Sequence, residues 1–280
     1  MKVFTTRKTI QKELSSRNKK MQIGLVPTMG ALHAGHLSII EKALKENDLI
    51  VVTIFVNPTQ FDKKEDLLNY PNTTKNDLTL LEEIKCDYVF MPSIDEMYNT
   101  EVKADTFDFD GLDKVMEGAF REGHFNGVGT IVKKLFEIID PDRAYFGEKD
   151  YQQLQIIKKM VTKNKFDIEI IPCNIYREKN GLALSSRNAR LNRGQMLEAP
   201  LIYQTLLSSK ELFQNEDVDI VKDMVKNEFN KSLNLELEYF EIADIETLMP
   251  AKHKSTGRKY RAFIGVYADS VRLIDNIALN

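Results

Sequence analysis

The sequence has little of several things. It contains two cysteines, four histidines and no tryptophan in 280 residues. Cys86 and Cys173 stand far apart with no CxxC pair, which excludes a disulfide framework and suits two ordinary buried thiols in a reducing compartment. An excess of basic charge is also lacking: 39 Lys and Arg face 42 Asp and Glu, scattered along the chain rather than gathered into an arm. Nucleic acid is therefore not expected as a partner, while a local basic pocket for a phosphorylated small molecule stays open. The longest apolar run, Leu49 to Val56, is too short to span a bilayer. The first ten residues, MKVFTTRKTI, lack the apolar core of a signal peptide. A cytoplasmic protein without a membrane partner is the expectation, and the absence of a short repeat argues against a solenoid.

What is present is the texture of a soluble globular chain, 42% hydrophobic and 29% charged, long enough for two moderate domains. Short apolar runs at Ile23–Val26, Leu49–Val56, Tyr88–Met91, Ala144–Phe146 and Ile168–Ile171 read as buried strands. Helical spacing lies between them, at Leu37–Lys45, Lys75–Ile84, Val128–Ile139 and Tyr151–Thr162. Strand and helix in alternation predict a Rossmann-like, doubly wound parallel sheet over residues 1–175. A polar stretch from Arg177 to Arg193 then leads into helical patterns at Gly194–Leu212 and Val218–Phe229. Strand-like segments follow at Leu237–Ile242, Ala262–Tyr267 and Val271–Ile274, the last two joined by a tight turn at 268–270. Residues 176–280 are expected to form a smaller α+β domain.

Open parallel sheets bind ligands beyond the carboxyl ends of their strands, where strand order reverses. Polar segments after the strands read PTMGALHAGH (27–36), NPTQF (57–61) and GEKDYQQ (147–153). His33 and His36 share a helix face, so a metal comes to mind first, yet no Cys or acidic ligand is placed nearby to complete a zinc set. The better reading uses the helix end. Small residues at Gly30, Ala31, Ala34 and Gly35 let backbone amides approach an anion, and two imidazoles add donors beside the positive end of the dipole. Lys149 offers a mobile charge for phosphate, and Asp150 an acceptor for ribose hydroxyls or an ordinary helix cap. Asn57 and Gln60 follow the most apolar strand, where the Gln amide suits hydroxyl and carboxylate groups. Ser185, Ser186 and Arg187 can close over a polyphosphate, or cap a helix in a linker. Arg121 can clamp a carboxylate or phosphate in a fork; His124, beside it, has no partner that the sequence names.

The H-x-G-H spacing after a strand resembles the nucleotidyltransferase superfamily. The ordered set PTMGALHAGH, NPTQF, REGHFNGV, FGEKDYQQ, GLALSSRN and RLIDN, running over essentially the whole chain, resembles the pantothenate synthetases, the pantoate–β-alanine ligase family. That resemblance implies ATP-dependent condensation of (R)-pantoate with β-alanine, giving AMP and pyrophosphate through a pantoyl adenylate. It also implies Mg²⁺, a homodimer and a C-terminal lid domain. Carried onto matching positions, it implies ATP contact by Met29, Gly30, Ala31, Leu32, His33, Ala34, Gly35 and His36, and by Gly147, Glu148, Lys149 and Asp150. ATP contact is likewise implied at Tyr176, Leu184, Ser185, Ser186 and Arg187. Pantoate contact is implied at Pro27, Thr28, Met29, Gln60 and Gln153, with Gln60 also beside β-alanine and Asn57 and Arg121 in support. His36, His33, Lys149 and Arg187 are the expected catalytic groups, with Mg²⁺ held mainly by the ATP phosphates. The chain departs from the common pattern at Ala34, where an acidic residue is frequent, and at Leu184, where Met is. Rival readings are a coenzyme-type adenylyltransferase, a tRNA synthetase without its basic extension, and an ATP-binding module without turnover.

Overall fold

The computed structural model describes residues 1–18, 20–99 and 101–280. In chain order the strands are β1 (Lys2–Phe4), β2 (Ile23–Thr28), β3 (Leu49–Ile54), β4 (Tyr88–Phe90), β5 (Arg143–Gly147), β6 (Glu169–Cys173), β7 (Glu236–Asp244), β8 (Tyr260–Ala268) and β9 (Val271–Ala278). The helices are α1 (Arg7–Ser15), α2 (Ala34–Glu46), α3 (Lys64–Leu68), α4 (Thr74–Glu83), α5 (Ile94–Tyr98), α6 (Glu117–Phe120), α7 (His124–Ile139), α8 (Tyr151–Asn164), α9 (Arg193–Glu198), α10 (Leu201–Asn215) and α11 (Val218–Phe229). Short 3₁₀ turns lie at Pro58–Gln60, Glu148–Asp150 and Ser186–Arg190.

The chain divides into two compact units. The first comprises residues 1–113, 121–148 and 153–174; the second comprises 114–120, 149–152 and 175–280. The boundary expected after residue 175 falls next to the start of the long last segment of the second unit, which also takes in 114–120 and 149–152.

In the first unit all six strands are parallel, in the order β1-β4-β3-β2-β5-β6. Every residue of β3 (LIVVTI) is buried, as a strand covered on both faces requires. Val26, Ile50, Val52 and Val89 pack with Ile40 and Ala43 of α2, and each fully buried aliphatic side chain contributes about 1.5–3 kcal/mol. The chain steps outward from β2 through β3 to β4, then returns to β5 on the other side of β2. Strand order thus reverses at β2/β5, so the carboxyl ends of these two strands flank the crevice where ligands are expected. The β2/β5 ladder holds only at Gly24 and Leu25, whereas β2/β3 pairing runs through Thr28.

The second unit pairs β7, β8 and β9 antiparallel. Ile202, Leu206 and Phe213 of α10 and Val221, Val225 and Phe229 of α11 share a core with Ile242, Ala262, Ile264, Val266 and Leu273 of the sheet. β8 and β9 meet through the Asp269–Ser270 turn, with Asp269 in the left-handed region.

Several elements differ from the expectation. β1 and α1 were not foreseen, because three residues ending in Phe4 give no periodicity. The helical pattern over 194–212 is two helices, α9 and α10, interrupted at Ala199–Pro200, where Pro lacks an amide for the ladder. α7 begins at His124 rather than Val128, since its first turn is buried too.

Both thiols are buried, and burial pushes Cys86 up to about 12 and Cys173 up to about 11. An unfolded thiol titrates near 8.5. Above that value the unfolded chain loses protons that the folded chain keeps, so this contribution to stability is full below pH ~8.5 and is lost as pH rises through 11–12. Iodoacetamide at pH 8 is accordingly expected to alkylate neither cysteine in the native protein and both in urea, as read by mass spectrometry.

Candidate active site

β2 ends at Thr28, whose buried hydroxyl donates to Thr53 O at 2.6 Å and accepts from Gly30 N at 3.2 Å. Gly30 and Ala31 then turn the chain with consecutive positive φ values of 80° and 50°. The amides of Ala31 and Leu32 donate to one carboxylate, that of Asp77 in the first turn of α4, at 3.0 and 2.8 Å. Thr73 Oγ1 adds a third bond at 3.0 Å, and Asp77 is 1% exposed. The anion that these two amides hold is therefore part of the protein. Any further role for Ala31 and Leu32 falls to their other atoms.

α2 starts at Ala34, a turn ahead of the periodic stretch from Leu37, with His33 as its N-cap. His33 Nδ1 accepts from Gly35 N at 3.2 Å, so a neutral His33 carries its proton on Nε2. The imidazoles of His33 and His36 face each other with centroids 4.0 Å apart and planes 32° apart. Pro27, Met29 and Gly35 are half-buried around this turn, and Ala34 is exposed.

Beyond β3, Asn57 is wholly buried and uses its entire amide. Its Nδ2 donates to Gln60 Oε1 and to Gly127 O, each at 3.1 Å, while Oδ1 accepts from Tyr98 OH at 2.5 Å and Thr59 Oγ1 at 3.2 Å. Gln60 Nε2 donates to Met29 Sδ at 3.1 Å, joining the second loop to the first. The Gln60 carbonyl takes His124 Nδ1 at 2.7 Å. A carbonyl only accepts and a guanidinium only donates, so His124 carries its proton on Nδ1 and its Nε2 accepts from Arg121 Nη1 at 3.1 Å. Arg121 also meets Asp62 at 3.4 Å. His124, for which the sequence names no partner, thus braces the loop that carries Gln60.

α7 approaches that loop so closely that a Cβ at Gly127 would lie 2.2 Å from Thr59 O. Backbone cannot step aside as a side chain can. Gly127→Ala is expected to cost about 1–3 kcal/mol through overpacking and, by shifting the loop that carries Gln60, to raise KM, with urea midpoints and initial rates as the check. A wild-type midpoint and KM would refute the close fit. Gln153 is the third residue of α8 in the first unit, half-buried, and Gly147 ends that unit's strand β5, with Glu148 opening the 3₁₀ turn after it.

In the second unit, Lys149 Nζ lies 3.2 Å from Asp150 Oδ1. Lys149 lines a small cleft together with Ser185, Asn188 and Asp275, so two separate sequence motifs meet there. The segment from Tyr176 to Leu184 is a tight hairpin rather than a loose linker. Leu184 N donates to Tyr176 O at 3.0 Å, Glu178 N to Leu182 O at 2.9 Å, and Arg177 bridges to Ala183. Ser185 then caps the 3₁₀ turn of Ser186 and Arg187 by accepting from Arg187 N at 3.2 Å. Buried Asn188 ties the turn to Ala183 O at 3.1 Å.

Sequence reasoning missed Asp77, Tyr98 and the partners of His124. Asp77 stands in a polar helix start, TTKNDL, where an acid reads as an ordinary first-turn residue.

A parallel sheet whose switch-point strand runs into paired imidazoles, with a lysine and hydroxyl cleft in its second unit, defines an α/β enzyme of phosphate chemistry. The model of the pantoate-beta-alanine ligase family matches residues 2–278, and the chain belongs to that family. It is 51% identical over 282 residues to the pantothenate synthetase of Christiangramia forsetii, with 100% of each chain covered. It is 49% identical to that of Bacteroides fragilis, covering 99% of this chain and 98% of the relative. Among solved structures, the pantothenate synthetase of Thermus thermophilus superposes with a TM-score of 0.92 at 36% identity, over 100% and 99% of the chains. The pantoate-beta-alanine ligase of Francisella tularensis, solved with beta-gamma ATP and beta-alanine, gives 0.81 at 34% identity, over 100% and 98%. The chain is thus an ATP-dependent carbon–nitrogen ligase that joins pantoate to β-alanine.

Proposed function

We propose that the first unit presents pantoate and the α-phosphorus of ATP to each other through His33, His36, Gln60 and Gln153, and that Lys149, Ser185, Ser186 and Arg187 of the second unit take phosphate charge. The observation that carries this reading is the bond from Gln60 to Met29, which sets an amide beside the imidazole-bearing loop at the switch point of the sheet. The pantoate carboxylate is already ionised at neutral pH, so attack on phosphorus needs in-line placement and charge stabilisation rather than a strong base. His33 and His36 supply donors, and the Gln60 amide orients hydroxyl and carboxylate groups. Pantoyl adenylate and pyrophosphate result. The β-alanine amine, in its neutral form, then attacks the acyl carbon and releases AMP, its proton passing to water or a pocket group.

Among the described residues no group of three or more His, Cys, Asp and Glu is clustered as a metal cage. Mg²⁺ would be brought in on the ATP phosphates, whose charge it would screen. A homodimer and a cytoplasmic location complete the proposal, with light scattering as the check on the former; no helix among the described residues is long and apolar enough to cross a membrane. The division into an ATP- and pantoate-binding domain (1–175) and a smaller C-terminal one (176–280) belongs to it too.

The test is AMP release from ATP, Mg²⁺ and pantoate, with and without β-alanine, following pantothenate by mass spectrometry. AMP and pantothenate in equal amounts, each requiring both substrates, support the reading. Nucleotide retained on the product would make the chain an adenylyltransferase, and binding without turnover a regulatory module.

A further inference from the structure

The side chains of Asp275 and Asn276 lie outside every role assigned above, yet they are 4% and 2% exposed and carry a dense set of bonds. Asp275 accepts a two-pronged contact from Arg177, at 2.5 Å from Nη1 and 2.9 Å from Nη2. The same guanidinium donates to Gly181 O at 3.1 Å and lies 3.8 Å over the Tyr203 ring, closing the hairpin that leads to Ser185. The main-chain amide of Asn276 donates to Asp275 Oδ1 at 2.7 Å, which ties the Asp275 carboxylate to the backbone at 276. Asn276 Nδ2 donates to the main-chain oxygen of Lys149 at 2.8 Å, and its Oδ1 accepts from Arg261 Nη1. Arg261 in turn lies 4.1 Å over the ring of Tyr151, two residues beyond Lys149. All of these residues belong to the second unit.

The structure assigns Asp275 and Asn276 as positioning residues that hold the Lys149 main chain and the base of the Ser185–Arg187 turn in one fixed relation. The assignment rests on the proposed role of Lys149 toward phosphate. An amide is required at 276 because one head must donate to a carbonyl and accept from a guanidinium. Aspartate lacks the donor, and glutamine is a methylene too long for the same two contacts. A fork from arginine to carboxylate adds direction as well as attraction, which suits a joint between two segments that must keep register. Misplacement of a binding group by about 1 Å costs about 100-fold in rate, so a joint of this kind acts on catalysis without touching substrate.

The experiment is a double-mutant cycle on Asn276→Ala and Lys149→Ala, read as pantoate-dependent exchange of labelled pyrophosphate into ATP. Single-turnover AMP formation at high enzyme concentration keeps slow variants measurable. Asn276→Ala is expected to lower exchange about 10- to 100-fold when Lys149 is present, and to have little further effect when Lys149 is already alanine. Asn276→Leu, which keeps the branched shape and adds no charge while removing both side-chain bonds, repeats the cycle should the alanine variant fold poorly. Equal losses in both backgrounds, or no loss from either substitution at 276, would overturn the inference. Normal exchange by Lys149→Ala alone would instead remove the proposed role of Lys149, and the inference with it.

Discussion

Replacing His36 with alanine is expected to slow adenylate formation about 10²- to 10³-fold, the loss that follows removal of one preorganised donor from a developing charge, with little change in stability. His36 lies in the first turn of α2, half-buried, while the N-cap of that helix is His33. Its ring stands 4.0 Å from that of His33. His33→Ala should behave differently, because it also removes the N-cap bond to Gly35 and adds about 0.5–2 kcal/mol of instability. Single-turnover AMP formation with pantoate, alongside a thermal melt, separates the two variants. A folded His36→Ala protein turning over at the wild-type rate would remove the donor role.

Asp77→Ala should damage both stability and rate. Its carboxylate is the sole acceptor described for the amides of Ala31 and Leu32, both in buried residues. Each buried donor left unmet costs about 1–3 kcal/mol. Ala31 holds a positive φ, a conformation that persists only when its surroundings impose it; without Asp77 the turn relaxes and the histidines move with it. We expect a lower urea midpoint with unchanged slope, and adenylate formation down about 100-fold, the scale set by loss of placement. Asp77→Asn keeps the shape but turns an NH₂ toward one of the two amides, so its stability should fall between the others. Wild-type stability in the alanine variant would show that the turn holds itself.

The parallel sheet was legible because β2, β3 and β4 are short β-branched or aromatic runs spaced by helical patterns, and the H-x-G-H turn because strand ends are where such sheets place ligands. β1 was not legible: a three-residue edge strand is defined by its partner β4, not by its own pattern. Asp77 was hidden for a related reason. Its value lies in two amides 45 and 46 residues earlier, and no local signal marks a carboxylate that will be buried. His124 illustrates the same limit, since its ring is meaningful only once Gln60 O and Arg121 stand on either side. Asn57 read as a weak loop candidate, and its burial makes it the brace of Gln60. The Arg177–Arg193 stretch looked like a linker because hairpin pairing over so few residues leaves no alternation to see.

The reversal of strand order at β2/β5 has a kinetic consequence. β2 and β3 are near neighbours in sequence and can pair over a short closure. The other flank of β2 must wait for residues far downstream: Ile23 N donates to the Asp142 carboxylate at 2.6 Å across 119 positions of chain. Closing so long a segment carries a large entropy cost before any contact offsets it. The crevice beside the histidines should therefore be among the last features to form on refolding, with ATP binding regained later than the far-ultraviolet circular dichroism of the helices.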